Sequence, residues 1–184
     1  MKIYLASRDV VSKLLACSLL ILASAVLVRG QEPSASSTPA VRVDRIEIVE
    51  KGLYRVEIKK EIEDPNVLSG HRIVQSKADH LKDTETIPAV SGTQFGFRYV
   101  VIGEPNGAKV PTRIVANYPE GGRQNPYNGK IALKDEFPQT ATIGGPPNFF
   151  FFNMKWGMVP GVWRIEVWCQ DRKLAEQKFT LVPP

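Results

Sequence analysis

The sequence predicts an all-β protein, a two-sheet antiparallel sandwich of about seven to nine short strands with little or no helix. Three observations carry this. Apolar and polar residues alternate with a period of two in segments that recur at roughly ten-residue spacing. The segments are separated by turns rich in Pro, Gly and Asn, and the 184 residues include 14 Gly and 14 Pro. No stretch between the strands has the helical period that an α/β fold would need, and no internal repeat is present.

The chain opens with a leader. Lys2, Arg8 and Lys13 precede an apolar or small run from Leu14 to Val28, and Arg29-Gly30-Gln31 follows. That order of charged, apolar and small residues is the order of a secretory signal. The run, about fifteen residues long, is shorter than the roughly twenty that span a bilayer. Cleavage after Gly30 or after Ala25 fits the small-residue requirement, so residues 1–30 are expected to be removed and the rest delivered to the periplasm or the medium. An uncleaved N-terminal anchor is the alternative, and the leader is then the only membrane contact. Leu14-Leu15-Ala16-Cys17 has the order of a lipoprotein cleavage box, but most of the apolar run comes after Cys17 instead of before it.

Removing the leader takes away four basic residues and one acid, so the formal net charge of +5 falls to near +2. Neither a clustered basic face with interleaved aromatics nor a recognised motif is present, which excludes nucleic acid as a partner class. Without Cys17 a single cysteine remains, Cys169, and an internal disulfide is impossible. Stability must then come from core burial. Cys169 continues an apolar row and reads as a small core hydrophobe.

Residues 31–40 are rich in Pro, Ser, Thr and Ala and read as a flexible linker, which leaves 41–184 as one domain. Ile46 and Ile48 alternate with charges, and Tyr54, Val56 and Ile58 resume the pattern after Gly52, which predicts two strands joined there. From Glu63 to Pro88 the pattern is weakest. Arg72–Ser76 suits a short strand, and the charged Ala78–Thr86 suits either a short helix or an exposed strand. Thr93–Ile102 is the strongest central strand, with Phe95, Phe97, Tyr99 and Val101 on one side and Gln94, Gly96 and Arg98 on the other. After the Glu104-Pro105-Asn106-Gly107 turn, Val110, Thr112, Ile114, Ala116 and Tyr118 mark the next strand. Pro119–Gly129 predicts a long mobile loop, Ile131–Leu133 and Thr140–Ile143 two brief strands, and Phe149–Trp156 a strand with little polar face.

The last stretch is the clearest. Trp163, Ile165, Val167 and Cys169 share one parity, while Arg164 and Glu166 take the other. Gln170–Lys173 reverses the chain. Ala175, Phe179 and Leu181 then oppose Glu176, Lys178 and Thr180 on the return strand.

This hairpin, from Pro160-Gly161-Val162-Trp163 through Phe179-Thr180-Leu181-Val182, resembles the closing strands of exported immunoglobulin-like modules. Together with Ile87-Pro88, Gln94–Tyr99 and Gly103-Glu104-Pro105, it is similar to an uncharacterised bacterial exported family of unknown function, over about Val41 to Val182. The resemblance implies an immunoglobulin-like β-sandwich and carries no catalytic signature. The cysteine pair that bridges the sheets of antibody domains is missing.

Two sets of residues could carry chemistry. His71, Asp79, His80 and Asp83 are side-chain types that coordinate zinc or serve as acid and base, and they support a metal-dependent hydrolase as the alternative function. Their spacing matches no compact metal motif. The sequence also lacks a Gly-x-Ser-x-Gly elbow and a phosphate-cradling loop, and no cofactor is expected. The aromatics point elsewhere. Phe149–Phe152 cannot all face inward from one strand, so either another element covers two of them or they form a contact surface. Trp168 shares its parity with charges. Tyr127, Phe150, Phe152, Trp156 and Trp168 are therefore the candidate binding residues, and a non-catalytic exported domain that binds another envelope protein, a carbohydrate or another extended ligand is the primary expectation.

Overall fold

The computed structural model describes residues 40–184, so the leader, its cleavage sites and most of the linker lie outside the described residues. Eleven strands follow in order: β1 Arg42–Glu63, β2 His71–Lys82, β3 Thr86–Pro88, β4 Thr93–Glu104, β5 Lys109–Asn117, β6 Arg123–Gln124, β7 Ile131–Ala132, β8 Lys134–Thr142, β9 Asn148–Met154, β10 Gly161–Cys169 and β11 Arg172–Val182. One sheet has the order β2-β1-β4-β9 and the other β3-β11-β10-β5-β8, and β6 and β7 form a two-stranded ribbon. No helix occurs among the described residues. The expected all-β sandwich is therefore the fold. The strand count exceeds seven to nine because β3, β6 and β7 are pieces of two or three residues.

The alternation rule builds the core. Phe95, Phe97, Tyr99 and Val101 from β4 meet Trp163, Ile165 and Val167 from β10, all at 0% exposure. Trp163 is the hub, edge-on to Phe95 at 5.9 Å, Phe152 at 5.2 Å and Tyr118 at 4.7 Å between ring centroids. Its indole N–H donates to the Val159 carbonyl at 2.9 Å, so the polar end of the largest core ring is satisfied. Burying each such ring contributes about 2–3 kcal/mol in transfer free energy. Cys169 is buried on the same row, and burial pushes its thiol up from the usual range, which suits a core position over a reactive one.

Two expectations are corrected and one left open is decided. Residues 42–63 form one strand instead of two. At Leu53 the strand exchanges partners, pairing with Phe95 of β4 on one side and Lys82 of β2 on the other. Gly52, with φ of 133°, makes the bend, and a Cβ there would run into the Lys82 carbonyl. Second, the ambiguous segment is a twelve-residue strand, β2, paired with the far half of β1 from Leu53 to Glu63. Third, the Pro119–Gly129 segment is pinned through β6 and two buried polar side chains, Arg123 and Asn125. β3 also adds a parallel pairing with β11, which makes that sheet mixed.

The far halves of β1 and β2 form an arm that curls back over the outer face of their own sheet. Gln94, on the outer side of β4, serves as a substitute strand for it. The Val56 N–H donates to Gln94 Oε1 at 2.8 Å, and Gln94 Nε2 donates to the Val56 carbonyl at 3.2 Å. Arg98, on the same outer row, donates to the Ala78 carbonyl at 3.0 Å and to Glu50 Oε1 at 2.9 Å.

Candidate binding groove

β9 and β8 each form one edge of their sheet and touch through their side chains. Phe137 of β8 packs on Phe150 of β9 with 5.1 Å between ring centroids. The arm crosses above β9, which leaves a groove of about 470 Å³ between β9, β8 and the start of β2.

The alternation along β9 decides its lining. Phe150, Phe152 and Met154 turn inward, while Phe149 and Phe151 turn outward, stacked at 5.3 Å with only 3° between ring planes. Tyr54 of the arm covers Phe149 at 4.7 Å, and the Arg98 guanidinium lies 4.9 Å from the same ring. Both outer rings remain half-buried. Beyond β9, Trp156 meets Tyr127 edge-on at 6.4 Å, and Tyr127 is 84% exposed.

A buried polar cluster holds one end of the groove. The Tyr118 hydroxyl donates to Asp135 Oδ2 at 2.6 Å, and Arg123 Nη1 donates to the Tyr118 oxygen at 3.1 Å and lies 3.6 Å from Asp135 Oδ2. Three rings surround the guanidinium, those of Tyr118 and Trp156 at 5.0 Å and Trp163 at 5.5 Å. Burial pushes the Tyr118 phenol well above its ordinary value, so it remains a neutral donor. The other oxygen of Asp135 accepts from the Leu68 N–H at 3.0 Å, and Asn125 Nδ2 donates to the Leu68 carbonyl at 2.9 Å. The turn at the tip of the arm is thereby tied to β8 and to the Arg123 segment. Lys155 adds a tie to Glu61 at 3.3 Å.

The structure brings together only part of the expected aromatic set. Tyr127 and Trp156 line the groove. Phe150 and Phe152 also border it, but at 6% exposure their rings belong to the core, because the inward parity of β9 falls on the even residues. Phe149 and Phe151 are the outward pair. Trp168 is on the other sheet, half-buried, with its indole N–H donating to Glu166 Oε2 at 2.8 Å and Arg113 5.4 Å from its ring.

His71 and His80 stand near opposite ends of β2, about 30 Å apart along an extended strand. His80 Nε2 lies 2.9 Å from the Lys51 carbonyl, Asp79 pairs with Lys77, and Asp83 falls beyond the strand. Among the described residues no three His, Cys, Asp or Glu side chains gather closely enough to hold a metal ion. The extended backbone of β2 separates the residues that the sequence places near one another.

Sequence reasoning missed Arg123 and Asp135. Arg123 lies in a Gly- and Asn-rich segment, where a basic residue reads as solvated, and its partner is twelve residues away. It also missed the amides Gln139 and Asn153 of the groove wall, which carry no pattern of their own.

Comparison with known proteins agrees with this architecture. A crystal structure of an immunoglobulin-like protein from Pseudomonas aeruginosa is similar at 27% sequence identity and a TM-score of 0.52, covering 79% of this chain and 99% of that one. No functionally curated protein matches. The model of the family described as Domain of unknown function (DUF3859) matches residues 42–181, and the chain belongs to that family.

Proposed function

We propose that the protein acts outside the cytoplasm, in the periplasm or secreted, as a non-catalytic β-sandwich that holds another cell-envelope protein or an extended ligand in the groove along β9. The observation that supports this most is the groove itself. It is floored by the outward phenylalanines of an edge strand, roofed by the arm and flanked by the solvent-exposed ring of Tyr127. The order of basic, apolar and small residues in the leader supports the compartment. The metal-dependent hydrolase gains no support from the separated histidines of β2.

A photo-crosslinking residue at position 127 tests this reading in the envelope of cells that express the protein. A discrete adduct at 127, weakened by Trp156→Ala, is the expected result. An adduct from position 168 with none from 127 would move the binding surface to the opposite sheet and end the groove reading.

A further inference from the structure

We propose that the groove takes an uncharged glycan bearing N-acetyl groups; this deepens the binding role above and rests on it. Charge is the first consideration. The charged groups along the groove are matched within the protein: Glu61 by Lys155 at 3.3 Å, Asp135 by Arg123 at 3.6 Å and Asp64 by Arg72. Among the described residues neither a run of free cations nor a run of free carboxylates faces the ligand space, so a neutral occupant fits better than a polyanion or a polycation.

Hydrogen-bond polarity comes next. Gln139 Oε1 accepts from the Tyr99 hydroxyl at 2.8 Å, and Asn153 Oδ1 accepts from Gln94 Nε2 at 3.4 Å. Each interior bond uses the amide oxygen, and both residues line the groove. With their oxygens engaged, these two amides have N–H donors to offer and suit a ligand rich in acceptors. Acetamido carbonyls are the strongest neutral acceptors that a glycan carries.

The aromatic corner supplies the third element. Tyr127 and Trp156 stand 85° apart, so one ring can stack on the C–H face of a sugar while the other closes its edge. Ring faces and side-chain donors together match the C–H faces and carbonyl acceptors of such a glycan.

The test is an NMR titration of the purified protein with the β-1,4-linked tetramer of N-acetylglucosamine and, separately, with the glucose tetramer of the same linkage. Saturable shifts at Trp156 and Tyr127 with the N-acetylated tetramer, and at least tenfold weaker binding of the glucose tetramer, are expected. Tyr127→Ala should weaken binding about tenfold, with Tyr127→Phe close to the parent; exposure of the ring keeps either change from disturbing the fold. Equal binding of both tetramers would overturn the role of the acetamido group. If neither sugar binds and a selected extended peptide shifts the same residues, the glycan proposal falls while the groove role stands. Failure of both ligands at the groove would overturn the two together.

Discussion

Asp135 reaches the Tyr118 hydroxyl with one oxygen and the Leu68 N–H with the other, so a single carboxylate joins the core to the tip of the arm. Its charge is balanced by Arg123, which is 7% exposed and enclosed by rings. Removing one member of a buried ion pair strands the other in a medium that solvates it poorly.

Asp135→Ala is therefore expected to destabilise the domain by about 3–5 kcal/mol. The same change frees Leu68, and faster hydrogen exchange at Leu68 and Asn125 should accompany the loss in chemical denaturation. Denaturation curves that coincide with the parent would show that the cluster contributes nothing.

Gln94 acts as a one-residue strand for the arm through its two bonds to Val56. In Gln94→Leu those bonds vanish and two backbone groups lose their partners. A cost of about 1–3 kcal/mol is expected, and it should be local: the Val56 amide exchanges faster while the amides of β10 remain as protected as before. Uniform acceleration across both sheets would contradict the assignment.

Gly96 has no room for a side chain. A Cβ there would meet the Phe150 carbonyl and lie 2.7 Å from Phe151 Cα, so Gly96→Ala must push β9 away from β4. Overpacking of this kind costs about 1–3 kcal/mol. Because β9 floors the groove, ligand affinity should fall with stability. Parent-like affinity in Gly96→Ala would mean that the spacing of β9 is irrelevant to binding.

Acid sensitivity should come from the surface carboxylates. A hydrogen bond from Lys51 holds Glu85 below the usual carboxylate range, and Lys134 and Lys173 do the same for Glu136 and Glu176. Each folded-state value is below the unfolded one. The stabilisation is thus fully present above the unfolded value of about 4.3 and is lost as the pH falls through the lowered folded values. Melting temperature is expected to drop on acidification below about pH 4.3, and a Glu85→Gln/Glu136→Gln/Glu176→Gln variant should show a shallower decline. An unchanged acid limb in that variant would assign the sensitivity to other groups.

What could be read in the sequence divides along physical lines. The terminal hairpin was legible, because Trp163, Ile165 and Val167 alternate strictly with charged neighbours and a polar turn follows. β4 was legible for the same reason. The bend at Gly52 was misread as a turn: glycine signals backbone freedom, and only the partner exchange at Leu53 shows how that freedom is used. The two-sided character of Phe149–Phe152 was evident, but its parity depends on register with β4, a long-range property. Arg123 was opaque because nothing local shows that three rings and a distant carboxylate will enclose it.

The 22-residue β1 begins at Arg42, and its far end roofs the groove. A pull along its first half, from Arg42 to Leu53, would cross hydrogen bonds to β4 that lie perpendicular to the load. The ladder would have to slide as a set instead of opening one rung at a time. Mechanically, the near half of β1 is held to β4 as a shear joint.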